Sequence, residues 1–391
     1  MEIVSFDNKN RKMIERFVQF HWELYRNDSR YIPQLDAELV GNKLFKIKGL
    51  LTNEHPFNKK ADVLYFMAIE ENKVKGRIAA CDNKVFNSAQ EKHTIFFGFF
   101  ESKNEERIAH ALLNEVIEWG KKRGAERVLG PVNFDTTDNM GMLIEGFDRH
   151  HYLMTVWNFP YYQNLVESFN YNEKRFTKAM DLLAQEMPVQ TPDGLKEKRE
   201  RLGRVVEEIK KRRDIRIERI TLDNLDAAVS IIMEIYNSAW EKNYGFAPIT
   251  NEDAEMLKAN LEVIVNQSVL LIAYVKDEPA AFFGALADIN EMIERKGNIL
   301  DLEILRFLRI LYRRNKVKHI RLFAFGIVDK FRKIGVDTAI YYEGFRIGQT
   351  MKNFEKCEIS WLLETNTLVI RAGESMGAEI TKKWRVFELI I

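Results

Sequence analysis

One succession of apolar patterns runs through this chain twice, and that repetition limits the fold more than any single motif. In the first half, residues 1–7 predict a strand. Residues 12–26 then place Met13, Ile14, Phe17, Val18, Phe20 and Leu24 at helical spacing. Residues 62–70 and 74–83 flank Glu71-Asn72 and predict a hairpin. A very apolar strand at 93–101, an amphipathic helix at 108–122, a strand at 127–132, a short helix at 161–169 and a strand at 176–183 complete the half. The second half repeats the order, with a strand at 215–219, a helix at 223–240, a hairpin of 268–276 and 279–288, and a long strand at 318–328. A helix after Gly335, a strand at 356–364, a helix at 368–376 and a strand at 379–389 follow. This order predicts an α/β protein with a mixed sheet in each half.

A chain of 391 residues is too long for one ordinary core. We expect domains at 1–190 and 214–391, joined by a linker helix over 191–213. The stretch around that linker is dense in Lys, Arg and Glu. It sets Leu195, Leu202, Val205, Val206 and Ile209 at helical spacing, which predicts a charged helix with one packed stripe. Net charge is +1 with no single-sign tail, so nothing points to nucleic acid as a partner. No apolar run approaches a membrane span, and the first residues do not read as a signal peptide. Cys81 and Cys357 lie far apart in apolar runs and are expected as buried free thiols in a reducing cytoplasm. No metal-ligand spacing is present. His150 and His151, adjacent on one loop, suit a surface better than a metal site.

The run His319-Ile320-Arg321-Leu322-Phe323-Ala324-Phe325-Gly326 predicts a buried strand, and Thr338-Ala339-Ile340-Tyr341-Tyr342-Glu343-Gly344-Phe345 a helix. Between them stand Arg332 and Gly335, three apart. A strand, a short loop and a helix start can hold a diphosphate, because unpaired N–H groups and the helix dipole both favour an anion there. Glycine lets the backbone come close.

That spacing resembles the acyl-CoA loop of the GNAT-type N-acyltransferase superfamily, Val-x-Pro-x-x-Arg/Gln-x-x-Gly-x-Gly/Ala. Ile327 stands for the Val, Arg332 for the Arg/Gln and Gly335 for the first Gly. Asp329 replaces the Pro, and Asp337 replaces the second small residue, where its like charge should weaken pyrophosphate binding. Other stretches extend the resemblance over nearly the whole chain. They include Gly76-Arg77-Ile78-Ala79-Ala80, Phe96-Phe97-Gly98-Phe99-Phe100-Glu101, Asn158-Phe159-Pro160-Tyr161-Tyr162, Asn237-Ser238-Ala239-Trp240 and Glu358-Ile359-Ser360-Trp361. Together they are similar to bacterial two-domain, tandem GNAT-like proteins classed as N-acetyltransferases. The resemblance implies two tandem GNAT-like domains. It also implies acetyl-CoA or another acyl-CoA as co-substrate, held by Ile327, Val328, Arg332, Lys333, Gly335, Val336, Thr338 and Asn366.

Enzymes of this superfamily often pair a Glu base on the central strand with a Tyr acid on a later helix. In the second half, Gly373 stands where that Tyr is expected, and residues 321–328 hold no carboxylate. In the first half, Glu101 ends the central strand and Tyr161-Tyr162 open the relevant helix, but residues 102–106 have lost the phosphate loop. Two roles are open to Glu101, a general base or a helix cap. Tyr161 and Tyr162 suit proton donation or packing at a helix start. Arg77 suits a substrate carboxylate or a neighbouring acid. Trp240, Asn243 and Tyr244 lie where such folds touch the acceptor, although Trp240 also suits a core anchor.

The expected function is acyl transfer from acyl-CoA to an amine, with a small-molecule or peptide acceptor and neither nucleic acid nor membrane as partner. Two rivals stand beside it: a catalytically decayed binding protein, marked by Asp337 and Gly373, and a transferase using aminoacyl-tRNA. The near-neutral charge weighs against the second.

Overall fold

The structure, a computed structural model, describes residues 1–42, 47–135, 139–240, 248, 250–293, 303–351 and 353–391. Its contacts divide the chain into two units. The first comprises Met1–Leu182, Glu294–Leu305 and Lys382–Ile391, and the second Leu183–Ile293 and Arg306–Thr381.

The first unit opens with β1 (Glu2–Phe6) and α1 (Arg11–Leu24). Asn10 caps α1 by accepting the Met13 N–H, and Ile14, Phe17, Val18, Phe20 and Leu24 form the buried stripe that the spacing predicts. β2 (Ala61–Glu70) and β3 (Lys73–Asn83) pair across Glu71 and Asn72. Both turn residues have positive φ, 49° and 60°, the backbone that lets a two-residue hairpin follow the strand twist. β4 (Thr94–Ser102), α2 (Glu106–Lys121) and β5 (Arg127–Gly130) follow. α2 buries Ile108, Leu112, Val116 and related positions on one face. It sits so close to β3 that a Cβ on Gly76 would lie 2.8 Å from both Ile108 and Leu112. Then come β6 (Met142–Glu145), α3 (Tyr162–Glu167) and β7 (Thr177–Pro188).

β4 and β5 run parallel, from Thr94↔Arg127 to Phe96↔Leu129. Past that point β4 kinks. Phe99 has φ of 50° and donates its N–H to Asn133 Oδ1 at 2.8 Å, and a Cβ on Gly98 would strike the Val132 carbonyl oxygen at 2.3 Å. A register shift on β3 between Arg77 and Ala79 accompanies the kink. Such bulges re-aim side chains, and here the re-aimed residue is Glu101. The last residues of the chain also join this unit, with Phe387 opposite Gly130 and Ile390 opposite Arg127.

The second unit contains α4 (Lys196–Arg213), β8 (Ile215–Arg219), α5 (Leu225–Trp240), α6 (Asn251–Ile264), β9 (Val269–Val275) and β10 (Glu278–Ala287). It continues through α7 (Glu303–Arg313, from Arg306 on), β11 (His319–Ile327), α8 (Val336–Thr350), β12 (Lys356–Leu363), α9 (Thr367–Ser375) and the start of β13 (Glu379–Ile390). Its strands lie in the order β8-β9-β10-β11-β12. β11 and β12 pair in parallel from His319↔Lys356 to Leu322↔Ile359. Beyond that ladder, Phe323, Ala324 and Phe325 are only half-buried.

The charged linker forms α4, but its packed stripe differs from the expected one. Arg199, Gly203 and Val206 are buried, while Val205 is exposed. The shift follows from close packing on α8, where a Cβ on Gly203 would meet the Tyr342 hydroxyl at 2.2 Å. No described helix is long and apolar enough to cross a membrane.

Candidate active site

The kink in β4 delivers Glu101 to the end of α1 and the start of α3. Tyr25 donates to Glu101 Oε2 at 2.7 Å, and Tyr162 donates to the same oxygen at 2.5 Å. The Tyr162 hydroxyl itself accepts the Ser102 N–H at 3.1 Å. On the other side, Arg77 lies 3.8 Å from Oε1. The Arg77 guanidinium is 4 % exposed and donates to the carbonyls of Phe17 and Val18, at 2.6 and 3.3 Å, with its plane over the Phe17 ring. It is therefore anchored to α1 and holds Glu101 from behind.

The carboxyl is 13 % exposed. Burial raises its pKa above the ordinary glutamate value, against the opposing pull of Arg77, Tyr162 and Tyr25. The same burial pushes up the hydroxyls of Tyr25 and Tyr162, with the Glu101 charge adding to it. A carboxyl raised by apolar surroundings is a better proton acceptor than one in water.

Around this group stands a wall of stacked rings. Tyr25 lies 4.0 Å from Tyr31 and 4.8 Å from Phe159, and Phe159 lies 5.3 Å from Tyr161, all within 18° of parallel. Tyr31, Phe159 and Tyr161 are half-buried, so the wall keeps an accessible side. Tyr161 spends its hydroxyl on the Ser102 carbonyl at 2.8 Å. Glu101, Tyr162 and Arg77, expected in two different roles, thus meet at one point, while Tyr161 stands beside them. Tyr25 was not among the expected site residues. It follows Leu24 at the end of an apolar stripe, and there a buried hydroxyl needs a polar partner. His151 differs from expectation as well. It is buried, accepts the Ile32 N–H at Nδ1 and contacts the Thr155 carbonyl, so it is a structural residue and not a surface one.

In the second unit the loop after β11 is well formed. Ile327 ends the strand, and the Val328 N–H donates to the Ala280 carbonyl. Lys330, Arg332 and Lys333 are exposed. Gly335, with φ of 92°, occupies the cap position of α8, and no side chain caps the helix. Only glycine holds that backbone without strain, and a Cβ there would also meet Ile209 at 2.9 Å. The uncapped amides that start α8 beside three cations fit a diphosphate. Three observations weigh the other way, the first being that Lys330 is paired with Glu278. Arg332 pairs with Asp329 at 3.0 Å, and Asp337 sits in the first helical turn. Val336 is fully buried, Thr338 is half-buried, and Asn366 precedes α9 without a side-chain cap bond. Trp240 ends α5, but its side chain, and all of Asn243 and Tyr244, lie outside the described residues.

Gly373 has a packing reason. A Cβ there would lie 2.2 Å from Gln185 Oε1, and the fully buried Gln185 donates to the Ile370 carbonyl at 2.9 Å. A tyrosine has no room at this position. On the strand pair β11–β12, Arg321 is buried against Ser360, whose hydroxyl donates to Glu358 at 2.7 Å. Burial lowers the Arg321 pKa to about 10, with Glu358 opposing.

No protein-family model matches the sequence. Protein YghO of Escherichia coli (strain K12) is 28% identical over 398 residues, covering 98% of this chain and 94% of the relative. A bacterial ceramide synthase of Caulobacter vibrioides is 24% identical over 387 residues, covering 96% and 94%. Among solved structures, a tandem GNAT protein from the clavulanic acid biosynthesis pathway gives a TM-score of 0.55 at 10% identity, over 99% of this chain and 97% of that one. A GCN5-related glucosamine N-acetyltransferase region of a fungal multi-domain protein gives 0.51 at 11% identity, over 99% of this chain and 38% of that one. The chain has the fold of a tandem GNAT protein, and along nearly all its length it is similar in sequence to these two bacterial relatives.

Proposed function

We propose that this protein is an acyl-CoA-dependent N-acyltransferase, with Glu101 as the group that takes a proton from the acceptor amine. The observation that carries this reading is the raised, partly accessible carboxyl of Glu101, fixed by Tyr25 and Tyr162 beside an aromatic wall. Acyl-CoA supplies the acyl group as an activated thioester. The chain's own residues would do the rest. Taken by itself, the loop at 328–338 of the second unit would hold a diphosphate through its amides, Arg332 and Lys333. Glu101 would accept the ammonium proton, so that the free amine attacks the thioester carbonyl; the C–N bond forms, the C–S bond breaks, and CoA leaves as a thiolate that takes up the second amine proton. Tyr162, bridging the Ser102 N–H and Glu101, would keep that carboxylate aimed. Orientation alone supplies much of the rate for an amine, which is already nucleophilic once neutral.

The acceptor we favour is an amine on an apolar body. Stacked rings receive apolar groups, and a carboxylate next to aromatic faces suits a cationic head. The Caulobacter relative, a ceramide synthase, forms an amide of that description. The free Cys81 and Cys357 fit a reducing compartment, and we place the protein in the cytoplasm.

The test is release of CoA thiol from acetyl-CoA and palmitoyl-CoA against a panel of amines that includes sphinganine. We expect turnover with at least one pair, and a loss of roughly 10²-fold or more in Glu101→Gln, the usual worth of a positioned base. Turnover that is unchanged in Glu101→Gln sinks the role of Glu101. If no donor or CoA itself stabilises the protein at millimolar concentration, the binding-protein reading replaces the enzyme.

A further inference from the structure

Within the second unit, α4 runs antiparallel to α8, and its last turn ends beside the loop that opens α8. Three contacts fix this. The Arg199 guanidinium lies 3.9 Å from the centre of the Phe345 ring, a Cβ on Gly203 would meet the Tyr342 hydroxyl, and a Cβ on Gly335 would meet Ile209. Residue numbers therefore rise along α4 as they fall along α8. Just past α4, the Asp214 carbonyl accepts the Lys276 N–H at 3.0 Å, in the turn between β9 and β10. That turn leads into Glu278, the partner of Lys330 in the loop. The last turn of α4 is thus bracketed by Gly335 on one side and by the anchor of Lys330 on the other.

This turn reads Lys210-Lys211-Arg212-Arg213. Spacings of three and four put Arg212 and Arg213 on the face of Ile209, the one turned to Gly335. Both are exposed, and among the described residues neither forms an ion pair, although Glu208 stands four before Arg212. Lys333, exposed in the loop, is in the same condition. The other cations of this corner are committed. Lys210 pairs with Glu207 at 2.9 Å, Arg332 with Asp329 at 3.0 Å and Lys330 with Glu278. The dipole of α4 favours cations in its last turn. It does not ask that two of them face the start of another helix without a carboxylate. Gathered cations repel one another, and an anion of high charge turns that cost into attraction. Guanidinium forks match the oxygens of a phosphate group.

We propose that Arg212 and Arg213 bind a second phosphate of the acyl donor, a monoester set apart from its diphosphate. CoA carries such a group on the 3′ oxygen of its ribose. The assignment rests on the reading of the 328–338 loop as a diphosphate site, and it makes the charged linker helix part of donor recognition.

Calorimetry on the full chain compares CoA with dephospho-CoA, which lacks only that monoester. We expect CoA to bind about tenfold tighter, with the preference shrinking as salt rises. Arg212→Gln/Arg213→Gln should weaken CoA about tenfold and leave dephospho-CoA within about twofold. The melting temperature should hold, because both side chains are exposed. Lys211→Gln removes a charge from the same turn but from another face, and should leave both affinities within about twofold. Equal affinity of the native chain for the two ligands overturns the proposal and leaves the diphosphate reading standing; that comparison needs no variant. A double variant that weakens both ligands alike, or a Lys211→Gln loss as large as that of the arginines, does the same. Binding of neither ligand overturns both readings.

Discussion

Tyr25, at the end of α1, donates to Glu101, at the end of β4, across 2.7 Å and 76 positions of sequence. The bond ties the first helix to the central strand at a carboxyl that an acceptor amine could use. Because it favours the charged carboxylate, it lowers a pKa that burial raises. Removing it in Tyr25→Phe should raise the Glu101 pKa further. The acid limb of the pH–rate profile would then move to higher pH, with a loss of about 1–2 kcal/mol of stability for the buried bond. A limb that stays in place would show that Tyr25 does not act on the Glu101 carboxyl.

Glu101 also sets a pH dependence of stability. Its pKa in the folded chain is raised above the ordinary glutamate value by burial. Its stabilising contribution is therefore complete below that ordinary value and is lost as pH rises through the folded pKa. Glu101→Gln removes the titration. The melting temperature of Glu101→Gln relative to the native chain should climb as pH rises through that range. Differential scanning fluorimetry between acid and neutral pH reads this directly, and a difference that is flat or falls with pH contradicts the assignment.

Gly373 and Gln185 form a coupled pair in the second unit. Gly373→Ala gains about 1 kcal/mol of helix propensity but must displace Gln185, so we expect a net loss of about 1 kcal/mol. Gly373→Tyr should cost more, about 3 kcal/mol. In a double-mutant cycle with Gln185→Ala, the cost of Gly373→Ala should largely disappear. Urea titration measures all four species, and additive effects would mean that the contact is not what excludes a side chain there.

Asp329 stands where the acyl-CoA loop of the resembled superfamily carries proline, and it occupies Arg332. Asp329→Ala leaves that guanidinium only its bond to the Ala239 carbonyl at 3.3 Å and removes a negative charge from the loop. Calorimetry should find CoA binding strengthened, by roughly threefold to tenfold for an exposed pair of this kind. Weaker binding would mean that the pair itself shapes the loop.

Arg321→Met leaves Glu358 buried without that cation. We expect a loss of about 2 kcal/mol, the cost of leaving the buried Ser360 acceptors without that donor. Arg321→Met/Glu358→Gln should recover part of it, and a single variant as stable as the native chain would show that the Arg321–Ser360–Glu358 chain is dispensable.

The regular elements were legible because their residues repeat at the period of the element. Phe17 and Val18 announce α1, and Ile108, Leu112 and Val116 announce α2. The Glu71-Asn72 turn fixed one hairpin by its backbone preference. The Glu101 and Tyr162 pairing was half legible, as two residues at the right ends of the right elements. Tyr25 was not, since a tyrosine after an apolar stripe looks like more of the stripe. Helices α6 and α7 also carried no expectation, because α6 mixes polar residues into its buried face and α7 turns leucines outward.

By itself, the sequence determined local periodicity, the order of strands and helices, the glycine that αL backbone requires at Gly335, and the charge balance. All of these depend on residues close along the chain. Tertiary structure alone decided that Arg77 would back Glu101, that Gln185 would fill the place of a side chain at Gly373, and that the last strand would pair with β5. Those outcomes come from close packing and desolvation between distant segments, whose energies depend on burial that no local pattern records.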